Sequence, residues 1–137
     1  MKFFLRLVLI LVFGYLASTR FPWWSVAIVG FVTGLLLSEK IKRRRLFGKQ
    51  PPSPKAFLSG FLAIFLLWGG IAFWSDFQND SLLSEKISRL VVPEGEIIIS
   101  RAWLMLLATA LIGGLVGGFS TMTGNLLGEA FRGQEKD

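Results

Sequence analysis

Four long apolar runs constrain this chain more than any other feature of its sequence. They cover residues 2–20, 22–38, 56–75 and roughly 102–119, and apart from Arg6 they carry no charged residue between their ends. Each run is about 17 to 20 residues long, close to the ~20 residues that a helix needs to cross ~30 Å of hydrocarbon. With 53% apolar residues and a mean hydropathy of +0.58, the chain is predicted to be an all-α membrane protein, a four-transmembrane-helix bundle.

The runs and their connections predict a single transmembrane domain over residues 1–137, with helices at about 3–19, 22–38, 56–75 and 100–120. A basic loop, 39–55, joins the second and third helices, and a longer loop, 76–101, joins the third and fourth. In this longer loop Leu83, Ile87, Leu90 and Val91 recur at helical spacing before Pro93. This pattern predicts an amphipathic helix lying at the outer membrane interface.

The basic residues predict the orientation of the chain. If the N-terminus is cytoplasmic, eleven lysines and arginines lie on the cytoplasmic side and only four, at positions 20, 86, 89 and 101, lie outside. With four and five acidic residues on the respective sides, the net charges are +7 and −1. Because short basic loops stay on the cytoplasmic side, we expect a multi-pass protein of the cell inner membrane with both termini in the cytoplasm.

Tryptophans give a separate indication of the outer interface, since indole rings favour the headgroup level of a bilayer. Trp23 and Trp24 precede the second helix, Trp74 lies at the end of the third and Trp103 at the start of the fourth. These four residues are expected to form an interface belt.

The residue types that are absent exclude most chemistry. The chain has no cysteine and no histidine, which removes thiolate nucleophiles, imidazole bases and the usual zinc and haem ligands. Glu94 and Glu96 form a close pair, but they lie in a turn with no third ligand nearby. No phosphate loop or nucleophile motif occurs. We expect no catalytic residue, no metal, no cofactor and no enzymatic activity, and the sequence identifies no small-molecule substrate.

Small residues are concentrated on the last helix. The predicted helix-packing or partner-binding positions are Gly30, Gly34, Ala110, Gly113, Gly114, Gly117, Gly118 and Thr121. In lipid, small residues four positions apart let helix backbones approach closely, so that dispersion contacts hold the helices together. Two interpretations are open: packing within the bundle, and a groove for the helix of a partner protein.

Beyond this stripe the last helix becomes polar, with Ser120, Thr121, Thr123 and Asn125, which allows an ion or water path as an alternative. The segment 117–123, GGFSTMT, loosely resembles the polar helix break of the small four-helix fluoride channels. That resemblance covers only seven residues and is accompanied by no other channel motif, so no site residue is transferred. Arg6 is expected to extend outward to the cytoplasmic interface, which leaves no ionisable residue at the centre of the membrane.

The basic loop contains Lys40, Lys42, Arg43, Arg44 and Arg45. Such a cluster is typical of a topology anchor that also contacts anionic lipid headgroups. No aromatic interleaving or base-reading fold accompanies it, so nucleic acid is not an expected partner.

These features together predict a non-catalytic integral membrane subunit, or an assembly or stabilising factor, of a larger membrane protein complex. Its expected partners are membrane lipids and other integral membrane subunits. The alternative is a small oligomeric channel or transporter with a path along the last helix.

Overall fold

A computed structural model of the chain describes residues 2–38, 53–80, 82, 86–87 and 101–134, and within these ranges all regular structure is helical. The helices are α1 (Lys2–Arg20), α2 (Ser25–Leu36), α3 (Pro54–Gln78) and α4 (Arg101–Gln134). Three of them, α1, α3 and α4, are long and apolar enough to cross a membrane, whereas α2 is a shorter apolar helix.

Helix α2 is shorter than the sequence predicts. Pro22 lies in the turn before the helix, where its carbonyl accepts a hydrogen bond from the Ser25 amide at 2.9 Å. At the other end Leu37 leaves helical geometry. The helix therefore contains 12 residues, about 18 Å at 1.5 Å per residue, well short of the ~30 Å hydrocarbon thickness.

Helices α3 and α4 are longer than the sequence predicts. Helix α3 starts two residues early, because Pro54 occupies a first-turn position that needs no amide donor, and it ends at a turn where Asp80 adopts a left-handed φ of 49°. Helix α4 has 34 residues and continues about four turns past its predicted end near residue 120. Two of the polar residues in this added stretch, Thr121 and Asn125, are fully buried.

The helices contact one another in a defined order: α4 packs against α3 and α2, and α1 packs against α2 and α3. Helices α3 and α4 are antiparallel, because Gly113 of α4 lies beside Trp68 and Gly118 lies beside Phe57. Helix α2 runs parallel to α4 and, across a short turn, antiparallel to α1. The first residues of α1 and α3 therefore lie at the same end of the structure as the last residues of α2 and α4. We call this the Lys2 end and the opposite end the Arg20 end.

Several glycines allow the backbones of different helices to touch. A Cβ added at Gly124 would lie 2.0 Å from the Phe31 carbonyl oxygen, and one added at Gly34 would lie 2.2 Å from the Thr121 carbonyl oxygen. Beside these contacts is a small apolar core of Ile10, Val26, Ala63, Ile64 and Leu67. Close backbone contact joins α4 to α2 and α3, and this core joins α1, α2 and α3.

Two predicted segments cannot be compared with the structure. Residues 39–52, which contain the basic cluster Lys40, Lys42, Arg43, Arg44 and Arg45, lie outside the described residues. So does most of the predicted amphipathic helix, of which only residues 82, 86 and 87 are described.

Replacing Gly124 with alanine is expected to destabilise the protein by about 1–3 kcal/mol, because the new methyl group forces α2 and α4 apart. Gly70 is the matched control, since it lies in a helix with nothing within 4 Å of an added Cβ. Gly70→Ala should be neutral or slightly stabilising, because alanine favours a helix by up to ~1 kcal/mol over glycine. Thermal unfolding in detergent measures both, and equal melting temperatures would contradict the close contact of α2 with α4.

Candidate functional site

Arg6 is fully buried, although the sequence suggested that it extends out to the membrane interface. Its Nη2 atom donates to the carbonyl oxygen of Leu37 at 2.5 Å and to Oδ1 of Asn125 at 3.0 Å. Both acceptors lie on other helices or at their ends, so Arg6 links α1 to α2 and α4. The expectation of an outward-pointing Arg6 is wrong, because these acceptors within the protein satisfy its donors better than an apolar surface could.

Asn125 connects Arg6 to a carboxylate. Its Oδ1 accepts from Arg6, and its Nδ2 donates to Oε1 of Glu129 at 2.5 Å. Asn125 and Glu129 are four residues apart on α4, the spacing that places side chains on the same helix face. An amide has both an acceptor and donors, which lets Asn125 lie between a cation and an anion and bond to each.

Arg132 bonds to the same end of α2. Its Nη1 donates to the Ser38 carbonyl at 2.8 Å and its Nη2 to the Leu36 carbonyl at 2.9 Å. The last carbonyls of a helix have no partner within the helix, and they carry partial negative charge that attracts cations. Arg6 and Arg132, from two different helices, therefore cap three consecutive carbonyls at the end of α2. We call Arg6, Asn125, Glu129 and Arg132 the Arg6 cluster.

Thr121 lies one turn from Asn125, where α2, α3 and α4 meet, and it is fully buried. Added Cβ atoms at Gly30 and Gly60 would lie 3.0 and 2.3 Å from its Oγ1. Three other threonines, Thr33, Thr109 and Thr123, donate to the carbonyl four residues earlier. The Thr121 hydroxyl has no hydrogen-bond partner among the described residues, which sets it apart from them.

The structure places the predicted small-residue positions between helices of this one chain. Gly113 and Gly114 face Trp68 and Phe61 of α3, Ala110 faces Gly69, and Gly117 faces Gly60 and Ile64. The remaining positions are also buried in contacts between helices: Gly30, Gly34 and Thr121 at the junction of α2 with α4, and Gly118 against Phe57. Within the described chain, these positions leave no open groove for a partner helix.

The predicted belt tryptophans Trp23, Trp24, Trp74 and Trp103 are all exposed, and all lie at the Arg20 end. The Trp103 ring lies 6.0 Å from the ring of Phe73, centroid to centroid. The Arg6 cluster is at the other end, so the two ends of the helices differ in character.

The described residues contain no group of three or more carboxylates that could hold a metal ion. No protein-family model, no curated protein and no solved structure matches the chain.

The Arg6 cluster was not predicted from the sequence, although part of its signal is visible there. An arginine inside an apolar run and an asparagine four residues before a glutamate are both unusual in a membrane helix. The pairing of Arg6 with Asn125 spans 119 positions, and only the packing of the helices shows it.

Replacing Asn125 with leucine is expected to destabilise the protein by about 3–5 kcal/mol, because it leaves Arg6 buried with fewer acceptors. Replacing both, Arg6→Met with Asn125→Leu, should cost less than the sum of the single changes, with a coupling of about 0.5–3 kcal/mol. Thermal unfolding in detergent measures this double-mutant cycle.

The matched controls are Arg20→Met and Asn79→Leu, which make the same changes at exposed positions. This pair should show no coupling. Additive effects for Arg6 and Asn125 would contradict the hydrogen bond between them.

Proposed function

We propose that this protein is a non-catalytic integral membrane subunit, or an assembly or stabilising factor, of a larger membrane protein complex. In this proposal its four helices cross the cell inner membrane as a bundle. The Lys2 end and both termini face the cytoplasm, and the segment after α3 lies outside. The tryptophans exposed at the Arg20 end and Lys2, Lys55 and Arg132 at the Lys2 end support this orientation.

The attachment of α1 is the observation that carries the proposal. Of its 19 residues only Arg6, Ile10 and Gly14 are buried, a stripe one residue wide that repeats every four positions. Leu7 and Leu11 beside this stripe are partly buried against the core. The opposite face of the helix presents large apolar side chains, including Phe4, Val8, Val12 and Tyr15, each half-exposed or more. A helix held by so narrow a stripe leaves most of its surface to lipid or to the helix of a partner.

This attachment changes where a partner would bind. The small-residue faces of α4 are filled by α2 and α3, so the partner-binding surface that we propose is the exposed face of α1. The Arg6 cluster also supports a structural role. Its hydrogen bonds are made within the chain and fix α1, α2 and α4 together.

A second candidate function is a small channel or transporter with a path along α4. One observation favours it: Arg6, Asn125 and Glu129 place charged and polar groups inside a set of apolar helices. Such groups are costly in a membrane and often mark ion or proton paths. Asn125 lies on α4 one turn after Thr121, whose hydroxyl has no partner among the described residues.

The orientation can be tested by reporters fused within the loops. A reporter near Pro52 should read as cytoplasmic and one near Gly95 as extracytoplasmic, because basic residues are retained on the cytoplasmic side. Paired alkaline phosphatase and fluorescent protein fusions at each position give the measurement. The reverse pattern at both positions would refute the orientation.

The partner proposal is tested by purifying the protein from its own membrane in mild detergent and identifying what co-purifies in fixed ratio by mass spectrometry. We expect a membrane protein partner whose recovery falls at least tenfold when Val8 and Val12 are both replaced by tryptophan, since two bulky rings would block a helix contact. Leu66→Trp, a single replacement at a similarly exposed position of α3, should leave recovery unchanged.

The two candidate functions differ at Thr121. Under the subunit proposal Thr121→Val leaves the complex intact and liposomes tight to protons. If the purified protein alone carries protons into liposomes, read by an entrapped pH dye, and Thr121→Val changes that rate, the channel is favoured and the subunit proposal fails.

A further inference from the structure

Helix α2 is much shorter than the helix that lies diagonally across from it. Helices α1 and α4 each contact both α2 and α3, so α2 and α3 lie on opposite sides of the helix assembly. Between Lys55 and Asp76, α3 has about 20 uncharged residues, a length of about 30 Å. Helix α2 has 12 residues, a length of about 18 Å. The two sides therefore offer apolar surfaces of different height to a membrane.

The residues that flank α2 do not lengthen its apolar surface. Residues 21–24 before the helix are non-helical, and all four are exposed. Exposed irregular backbone is not tolerated in hydrocarbon, because its peptide groups need water or another partner. After the helix Leu37 leaves helical geometry, and charged residues begin at Glu39. Headgroups and water must therefore reach both ends of α2.

The start of α2 lies level with the middle of α3. Added Cβ atoms at Gly30 of α2 and Gly60 of α3 would lie 3.0 and 2.3 Å from the same atom, Thr121 Oγ1, so these two glycines are at a similar height. The two helices run in opposite directions. Trp24, six residues before Gly30, therefore lies near the height of Leu66, six residues after Gly60.

A flat membrane would place the turn before α2 in hydrocarbon. Leu66 is midway between Lys55 and Asp76, so a membrane that is ~30 Å thick everywhere would put Trp24 near its centre. Tilting the helices does not remove this conflict, because tilt only lowers the height that the ~18 Å of α2 can span. A thinner membrane beside α2 removes it.

We propose that the protein thins the membrane beside α2, where the hydrocarbon is about 20 Å thick, against about 30 Å beside α3. Most of the thinning lies in the leaflet at the Arg20 end, because the start of α2 is the end that lies deep. A bilayer accepts local thinning beside a short apolar segment at modest cost. The α2 side of the protein thus fits a thin lipid surface. This inference rests on the proposed crossing of the membrane by α2, and it needs no protein partner.

The experiment measures depth with spin labels on single cysteines, which is possible because the chain has no cysteine of its own. Trp24→Cys and Leu36→Cys label the two ends of α2, and Leu66→Cys is the matched control at the height of Trp24 on α3; all three positions are exposed. The labelled protein is placed in vesicles of dioleoyl phosphatidylcholine. Electron paramagnetic resonance then gives the ratio of accessibility to a water-soluble nickel chelate over accessibility to oxygen.

We expect this ratio to be at least fivefold higher at both ends of α2 than at Leu66, because only the α2 labels reach headgroup level. Trp23→Cys replaces Trp24→Cys if the latter does not fold. Equal ratios at Trp24 and Leu66 would overturn the thinning.

A label at Ile28, an exposed position within α2, separates this failure from a failure of the proposed topology. Ile28→Cys should give a low ratio, as Leu66→Cys does. If it is instead as accessible to the nickel chelate as Trp24→Cys, α2 does not cross the membrane, and both the crossing and the thinning are refuted.

Discussion

The last backbone carbonyls of a helix have no partner within that helix, so their hydrogen bonds must come from elsewhere. Helix α2, with only 12 residues, ends beside side chains of two other helices. Arg6 and Arg132 supply these donors, to the carbonyls of Leu36, Leu37 and Ser38. These bonds connect α1 and the end of α4 to the end of α2.

This capping has a cost that the rest of the cluster offsets. A buried guanidinium is expensive unless hydrogen bonds and a nearby opposite charge compensate it. Asn125 and Glu129 provide both, and they do so because α4 stays helical through its polar stretch. The approach of α4 to α2 in turn requires glycine at Gly34 and Gly124, where any Cβ would collide with a carbonyl oxygen. The glycines therefore permit the contact of α2 with α4, and the arginines stabilise it.

The sequence predicted the helical class and the approximate positions of α1 and α3, because a long apolar run needs no tertiary information to be recognised. It did not predict the inward turn of Arg6 or the continuation of α4 to Gln134. Both depend on an acceptor far along the chain, and a lone arginine in an apolar run is equally compatible with an outward position. The small residues of α4, 110–121, show this too. Their spacing predicted a surface for helix packing or a partner, but the sequence did not show that α2 and α3 cover it.

The two ends of the helices consequently have opposite physical characters. At the Lys2 end polar bonds and backbone contact join α1, α2 and α4. At the Arg20 end α2 has not yet begun, the side chains are small, and apolar space remains beside exposed tryptophans. Helix α1 spans both ends, and only three of its residues are fully buried. It is therefore the helix that can give most of its surface to another protein, which is why we propose its exposed face as the partner-binding surface.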